Sequence, residues 1–312
     1  MINTFREDFQ MSKTKHVKTV KTKARKSTTN KNRKSQTNTS RSRQSIVMKG
    51  ISRIWFVSTL ALVVSTIVFS FIPKQTVESL NAKTALIYGD SVTHESRTMV
   101  AQYSATKVGW KHTVRAYGGT APCDWITWLP TDLATHQPSI VAISTMGNVS
   151  VTGCTNDGNG NNLVLGSQAY YDKYRADLNT FMQLVTATGA KIVFIKAPPT
   201  RDTTRNAAID QIHLIAQELA GQYHGVSISN TVRSALSASG KYTDKKACLA
   251  SETVTQGCGT DGKIAIRSWD GLHLCPITLA AYATCNVYSS GEYRWAKAAV
   301  NTTVNPPAPV LP

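Results

Sequence analysis

The chain has 312 residues, 41% of them hydrophobic, which is enough for one sizeable domain plus accessory segments. Its net charge is +17, but residues 1–53 hold 15 Lys and Arg against two acids, a net of +13, and the other 259 residues share +4. That placement excludes a basic domain: the part that folds is close to neutral, and the charge belongs to a tail.

Residues 1–53 are rich in Lys, Arg, Ser, Thr and Asn and poor in large apolar residues. Such a segment cannot bury enough surface to offset its ordering entropy, so it is expected to be a disordered cytoplasmic tail. Phosphate contacts to nucleic acid are one reading, disfavoured because stacking aromatics are nearly absent. The favoured reading is a tail that sets topology and touches anionic lipid. Residues 54–73 follow, opening with the uncharged run IWFVSTLALVVSTIVFSFI, close to the 20 or so residues that cross a bilayer. They are expected to form a transmembrane signal-anchor helix. The positive-inside bias puts the N-terminus in the cytoplasm and everything after residue 73 outside, in the cell envelope. A cleaved signal peptide is the competing reading. The long basic region and the poor cleavage site at Leu80-Asn81-Ala82 speak against it. All six cysteines (Cys123, Cys154, Cys248, Cys258, Cys275, Cys285) lie after the span, which suits disulfides in an oxidising compartment, in any of 15 connectivities. No CxxC pair occurs, so no metal site is expected.

After a linker over 74–83, apolar runs and helical patterns alternate across a domain expected over 84–300. Strands are predicted over 84–89, 112–117, 138–145, 190–196 and 225–229. Helices are predicted over 91–108, 124–134, 167–188 and 203–222, with a last one inside 277–300. On the fourth, Ile209, Ile212, Ile215, Ala216 and Leu219 share one face. Strand and helix in alternation predict an α/β chain with a parallel sheet covered on both faces, a three-layer α/β/α sandwich. Residues 301–312 are expected to be a flexible terminus.

In such a sheet ligands sit beyond the carboxyl ends of the strands, so the residues just after strands matter. Gly89-Asp90-Ser91 follows the first strand, Gly118-Gly119-Thr120 the second and Gly147-Asn148 the third. Each alone is an ordinary turn or cap. The fourth block, Asp270-Gly-Leu-His273, places Asp and His three apart, where one loop can aim His at a serine and let Asp align its ring.

Taken together and in this order, the four blocks resemble the SGNH hydrolase superfamily of GDSL-type esterases and lipases. The most specific parts are Tyr88-Gly-Asp-Ser-Val92 and Trp269-Asp-Gly-Leu-His-Leu-Cys275. Gly118-Gly-Thr-Ala-Pro-Cys-Asp-Trp125 and the cysteines beside the blocks are similar to the bacterial cell-envelope branch, the SGNH domains of membrane acyltransferases. The resemblance implies a flavodoxin-like fold with a five-stranded parallel sheet and a catalytic triad of Ser91, Asp270 and His273. It also implies an oxyanion hole from the N–H groups of Ser91 and of Gly118 or Gly119 with the Asn148 amide, and no metal or organic cofactor. One departure is that Gly147 and Asn148 are adjacent, where many members have Gly-x-Asn, which leaves the backbone course there open.

Within that frame Cys123 and Cys154 fall at the rim of the site and are expected to pair. Cys248 with Cys258 and Cys275 with Cys285 would close local loops. Trp125 and Trp128 are either a sugar-stacking platform or core. The polar loop over 157–162 lacks the ligand spacing and closing Glu of a calcium loop. Arg97, Arg115 and Lys196 either favour anionic substrates or are ordinary surface charges. The implied activity is hydrolysis of acyl esters, O-acetyl above all, on cell-envelope glycans. The same triad would serve an O-acyltransferase, and a non-catalytic glycan-binding domain is the reading from another class.

Overall fold

The computed structural model describes residues 82–150, 153–277 and 285–311. The expected tail (1–53), the expected membrane helix (54–73) and nearly all of the linker (74–83) lie outside the described residues.

The sheet is built from β1 (Lys83–Gly89), β2 (Trp110–Ala116), β3 (Ile140–Ser144), β4 (Lys191–Ile195) and β5 (Val226–Ser229), all parallel, in the order β2-β1-β3-β4-β5. β1 and β3 are near-continuous apolar runs because both their faces are covered. Their residues alternate between two cores. Leu86, Tyr88, Val141, Ile143, Ile192 and Phe194 face one layer of helices; Ala85, Ile87, Ile140, Ala142, Val193 and Ile195 face the other.

The first layer holds α3 (Pro122–His136), α4 (Gln168–Thr186) and α5 (Thr203–Ala220). The second holds α1 (Ser91–Glu95), α2 (Arg97–Ser104), α6 (Thr231–Ala235) and α7 (Ser290–Val304). This is the three-layer α/β/α architecture with a flavodoxin-like strand order. The strand order reverses at β1, which has β2 on one side and β3 on the other. The crevice of the fold therefore opens beyond the carboxyl end of β1, at Ser91.

The structure departs from the sequence reading in five places. The single helix expected over 91–108 is two, because the Ser96 hydroxyl turns back onto the Val92 carbonyl at 2.9 Å and the chain restarts there. α3 begins two residues early, where Pro122 suits a first turn and Asp124 accepts from the Ala121 N–H at 2.8 Å. The last helix starts inside the expected range but runs past it, to Val304. Residues 301–312, expected as a flexible terminus, finish that helix and return along β5. Val310 N–H donates to the Val226 carbonyl at 2.9 Å and Leu311 bridges His224. The antiparallel pair β6 (Lys245–Ala247) and β7 (Lys263–Ala265) and the five-residue α6 were not predicted; three to five residues carry no readable period.

Candidate active site

The turn that carries Ser91 is shaped by sterics. A Cβ at Gly89 would lie 2.0 Å from the Thr93 Oγ1, so only glycine ends β1 here. Asp90 is the next residue and is buried. Its Oδ1 accepts from the Val92 N–H at 3.3 Å, capping α1, and its Oδ2 accepts from the Met146 N–H at 2.6 Å, across the sheet end. Burial pushes the Asp90 carboxyl up to about 6, against the pull of those two N–H groups and of His273 and Arg205. Asp90 thus ties the Ser91 turn to the loop that follows β3.

Ser91 then opens α1. Its Oγ lies 2.9 Å from His273 Nε2, and His273 Nδ1 lies 2.6 Å from Asp270 Oδ2. A carboxylate only accepts, so Nδ1 carries the ring proton and Nε2 turns its lone pair to the Ser91 hydroxyl. Asp270 Oδ1 also accepts from the Leu272 N–H at 2.8 Å and the His273 N–H at 3.0 Å. Burial pushes the Asp270 carboxyl up, but the bonds from His273 and from these N–H groups outweigh it and hold it below the usual carboxylate range. The turn between the two residues needs Gly271, which has φ +69° and where a Cβ would meet Arg201 Cβ at 2.5 Å. Arg201 N–H donates to the Gly271 carbonyl at 3.0 Å and its guanidinium to the Trp269 carbonyl at 2.8 Å.

The second and third blocks converge on the same serine. The nearest atom to a Cβ built on Gly118 is Ser91 Cβ, at 3.9 Å. Gly118 is therefore the residue against Ser91, and Gly119, at φ +74°, turns the chain away. The turn is held to β1 through Tyr117 N–H and the Thr120 hydroxyl, both donating to the Gly89 carbonyl (3.3 and 3.4 Å). In the third block Gly147 takes φ +72°, which lets Asn148 follow it directly. Tyr170 and Tyr174 donate to the carbonyls of Gly147 and Asn148, each at 2.7 Å, and fix that course. Arg205 donates to the Met146 carbonyl at 3.1 Å and to Asn148 Oδ1 at 3.4 Å. With its oxygen held this way, the amide turns Nδ2 to the second block, 3.4 Å from the Thr120 carbonyl.

The cysteines pair as Cys123–Cys154, Cys248–Cys258 and Cys275–Cys285. The first joins α3 to the loop after Asn148, and the last closes the loop directly past His273. Cys123, Asp124 and Cys154, and likewise Cys275, Cys285 and Glu292, bring possible metal-ligand atoms within 4.8 Å of one another. Disulfide bonding removes the thiolates a soft metal needs.

Trp125 is core: it is fully buried, its indole N–H donates to Thr120 Oγ1 at 3.0 Å, and it packs on Tyr88 and Phe181. Trp128 is half-buried and edge-on to Tyr117, with centroids 5.0 Å apart. Asp157 spends its carboxylate on Asn159 and Asn161 within its own loop. Arg115 is bound to Asp132 at 2.7 Å, which also accepts from Tyr88, so it braces β2 against α3.

One family model matches residues 84–277. The chain belongs to that family, described as Protein of unknown function (DUF459). A comparison with curated proteins found no match. Similar solved structures include a GDSL-like lipase from Bacteroides thetaiotaomicron, 11% identical over 71% of this chain and 87% of that one, TM-score 0.45. TesA is 16% identical over 72% of this chain and 99% of that one, TM-score 0.42. An acetylxylan esterase from Geobacillus stearothermophilus is 15% identical over 49% and 77%, TM-score 0.37. Identities this low leave the chemistry to the site's own atoms. Within the DUF459 domain those atoms carry the SGNH arrangement: serine after β1, glycine after β2, asparagine after β3, and Asp and His three residues apart. Of the residues that hold this arrangement, Tyr170, Tyr174 and Arg205 carried no signal in the sequence. Asp90 stood inside the first block, and its place before a helix start marks it as a cap.

Proposed function

We propose that the chain is a serine ester hydrolase acting on acyl esters of cell-envelope glycans, with O-acetyl groups the leading substrates. The observation that carries this is the continuous contact from Ser91 Oγ through His273 to Asp270, at 2.9 and 2.6 Å. Ser91 Oγ attacks the ester carbonyl carbon while His273 Nε2 takes its proton. Asp270 keeps the ring in the productive tautomer and stabilises the imidazolium. The N–H groups of Ser91 and Gly118 and the Asn148 amide receive the oxyanion. Collapse expels the alcohol, protonated by His273, and leaves an acyl-Ser91 ester that water then hydrolyses by the same route.

A glycan is supported by aromatic rings on both loops that flank the serine. Tyr117 directly precedes Gly118 and is 37% exposed; Trp269 directly precedes Asp270 and is 70% exposed. Such rings offer a flat apolar face beside polar groups, as a sugar requires. The envelope location rests on the uncharged stretch over 54–72, the +13 tail before it and the placement of every cysteine after it.

Labelling of the full-length protein with a fluorophosphonate, with Ser91→Ala beside it, tests the reading. Labelling that disappears in the variant is the expected result. A folded, oxidised protein that does not label would refute it and leave a binding domain. Product analysis with and without a glycan acceptor then separates hydrolysis from transfer.

A further inference from the structure

His273 sits in a stretch without regular secondary structure, between β7 and the Cys275–Cys285 loop. A general base must hold its place to a fraction of an ångström, so something must fix this stretch. Several anchors are ordinary: Ser268 N–H donates to the His273 carbonyl at 2.8 Å, and the Ser289 hydroxyl to the Leu274 carbonyl at 2.7 Å. One is different. Glu95, buried at 3% exposure, accepts from the Leu274 N–H at 2.7 Å through one carboxylate oxygen and from the Cys275 N–H at 3.4 Å through the other. Glu95 stands one helical turn after Ser91 on α1, so both point from the same helix face. That face meets His273 through Ser91 and the next two residues through Glu95.

Resting on the hydrolase reading above, we propose that Glu95 is a positioning residue of the triad, whose ionised carboxylate clamps the chain just past His273 and so sets the imidazole at its working distance from Ser91. An ionised carboxylate accepts both N–H bonds at full strength, whereas a protonated one turns a hydroxyl on one of them. The clamp is therefore sensitive to pH. The groups that face Glu95 are His273 and Asp270 on the clamped loop, Arg267 after β7, and Glu292 on α7. Burial pushes the Glu95 carboxyl up to about 7, and Asp270 adds to that; His273 and the two N–H groups oppose it. Glu292, pushed up to about 9 by its own burial and then by Glu95, keeps its proton while Glu95 ionises and so does not compete for the loop. Below neutral pH the clamp protonates, and the base loses its setting.

The test is the rate of fluorophosphonate labelling of the full-length protein and of Glu95→Gln, between about pH 5 and 9. On the acid side the wild-type rate is expected to fall more steeply than the variant's, by the one proton that Glu95 takes up. At the alkaline end the variant is expected to be slower by roughly ten- to a hundred-fold, the effect of a misplaced base. A variant slowed by one constant factor at every pH, with the wild-type steepness on the acid side retained, would overturn the proposal and leave Glu95 a structural residue. Should the variant fail to fold, the backbone amide resonances of Leu274 and Cys275 in the wild-type protein report the same thing. They are expected to titrate together near pH 7, and amides that do not move across that range overturn it. Failure of the hydrolase reading looks different: the wild-type protein then labels at no pH.

Discussion

Glu292 offers a sharp test of how burial governs this fold. It lies in the first turn of α7 with 0% exposure, beside the Cys275–Cys285 bridge, and among the described residues neither carboxylate oxygen has a hydrogen-bond partner. Burial, then the charge of Glu95, pushes its carboxyl from 4.5 up to about 9. The sign follows from proton counting. Between those values the unfolded chain releases the proton and the folded chain keeps it, so each pH unit above 4.5 favours unfolding by about 1.4 kcal/mol. From pH 4.5 to 7 that comes to about 3 kcal/mol. Glu292→Gln keeps the shape and removes the titration. Denaturant unfolding of both proteins at these two pH values gives the difference directly. The variant is expected to gain about 3 kcal/mol on the wild type between the lower and the higher pH, whatever their difference at the lower one. A difference that does not change with pH would refute the reasoning, because it would mean that Glu292 ionises in the folded state at its ordinary pKa.

His213 predicts the opposite slope: burial pushes it down to about 3, so the unfolded chain takes up a proton below pH 6.5 that the folded chain refuses, and stability falls with pH. His213→Gln is expected to recover about 2 kcal/mol relative to wild type between pH 7 and 5, read from the same unfolding curves. Arg205→Ala frees the Asn148 amide and is expected to lower kcat roughly ten-fold or more, less than the 10²–10³-fold typical when an oxyanion donor is removed, as in Asn148→Ala. The double variant should be no slower than Asn148→Ala, and losses that multiply would show that Arg205 acts elsewhere. Trp269→Ala is expected to raise KM for a glycan ester about ten-fold and leave a small aryl acetate unaffected, as loss of a stacking face should. Equal loss on both substrates would remove the ring from substrate binding.

The sheet was legible because its strands are buried on both faces. Runs such as Ala85 to Tyr88 and Ile140 to Ile143 are apolar without alternation, and the helical stripe from Ile209 to Leu219 supplies the layer that covers one face. Boundaries were less legible where one side chain decides them. Nothing in the apolar pattern shows that Ser96 will bond back to Val92 and split a helix, or that Val310 will rejoin β5 far from it in sequence.

In the site the same division holds between local and distant causes. Ser91, Gly118, Asn148 and the Asp270–His273 pair stand at the ends of strands or within one turn of each other, so short motifs reveal them. Their settings do not. Asp90 reaches the Met146 N–H 56 positions away, and Glu95 reaches Leu274 across 179. Arg205 decides which way the Asn148 amide faces across 57. A carboxylate or guanidinium in a sequence reads as solvated surface until a partner is placed beside it. The choice between Gly118 and Gly119 shows the same limit. Both suit a tight turn, and only the 3.9 Å approach to Ser91 Cβ separates the residue that faces Ser91 from the one that turns the chain. Chemistry in this fold is thus written locally, and its precision is set by buried charges that the topology brings in from elsewhere.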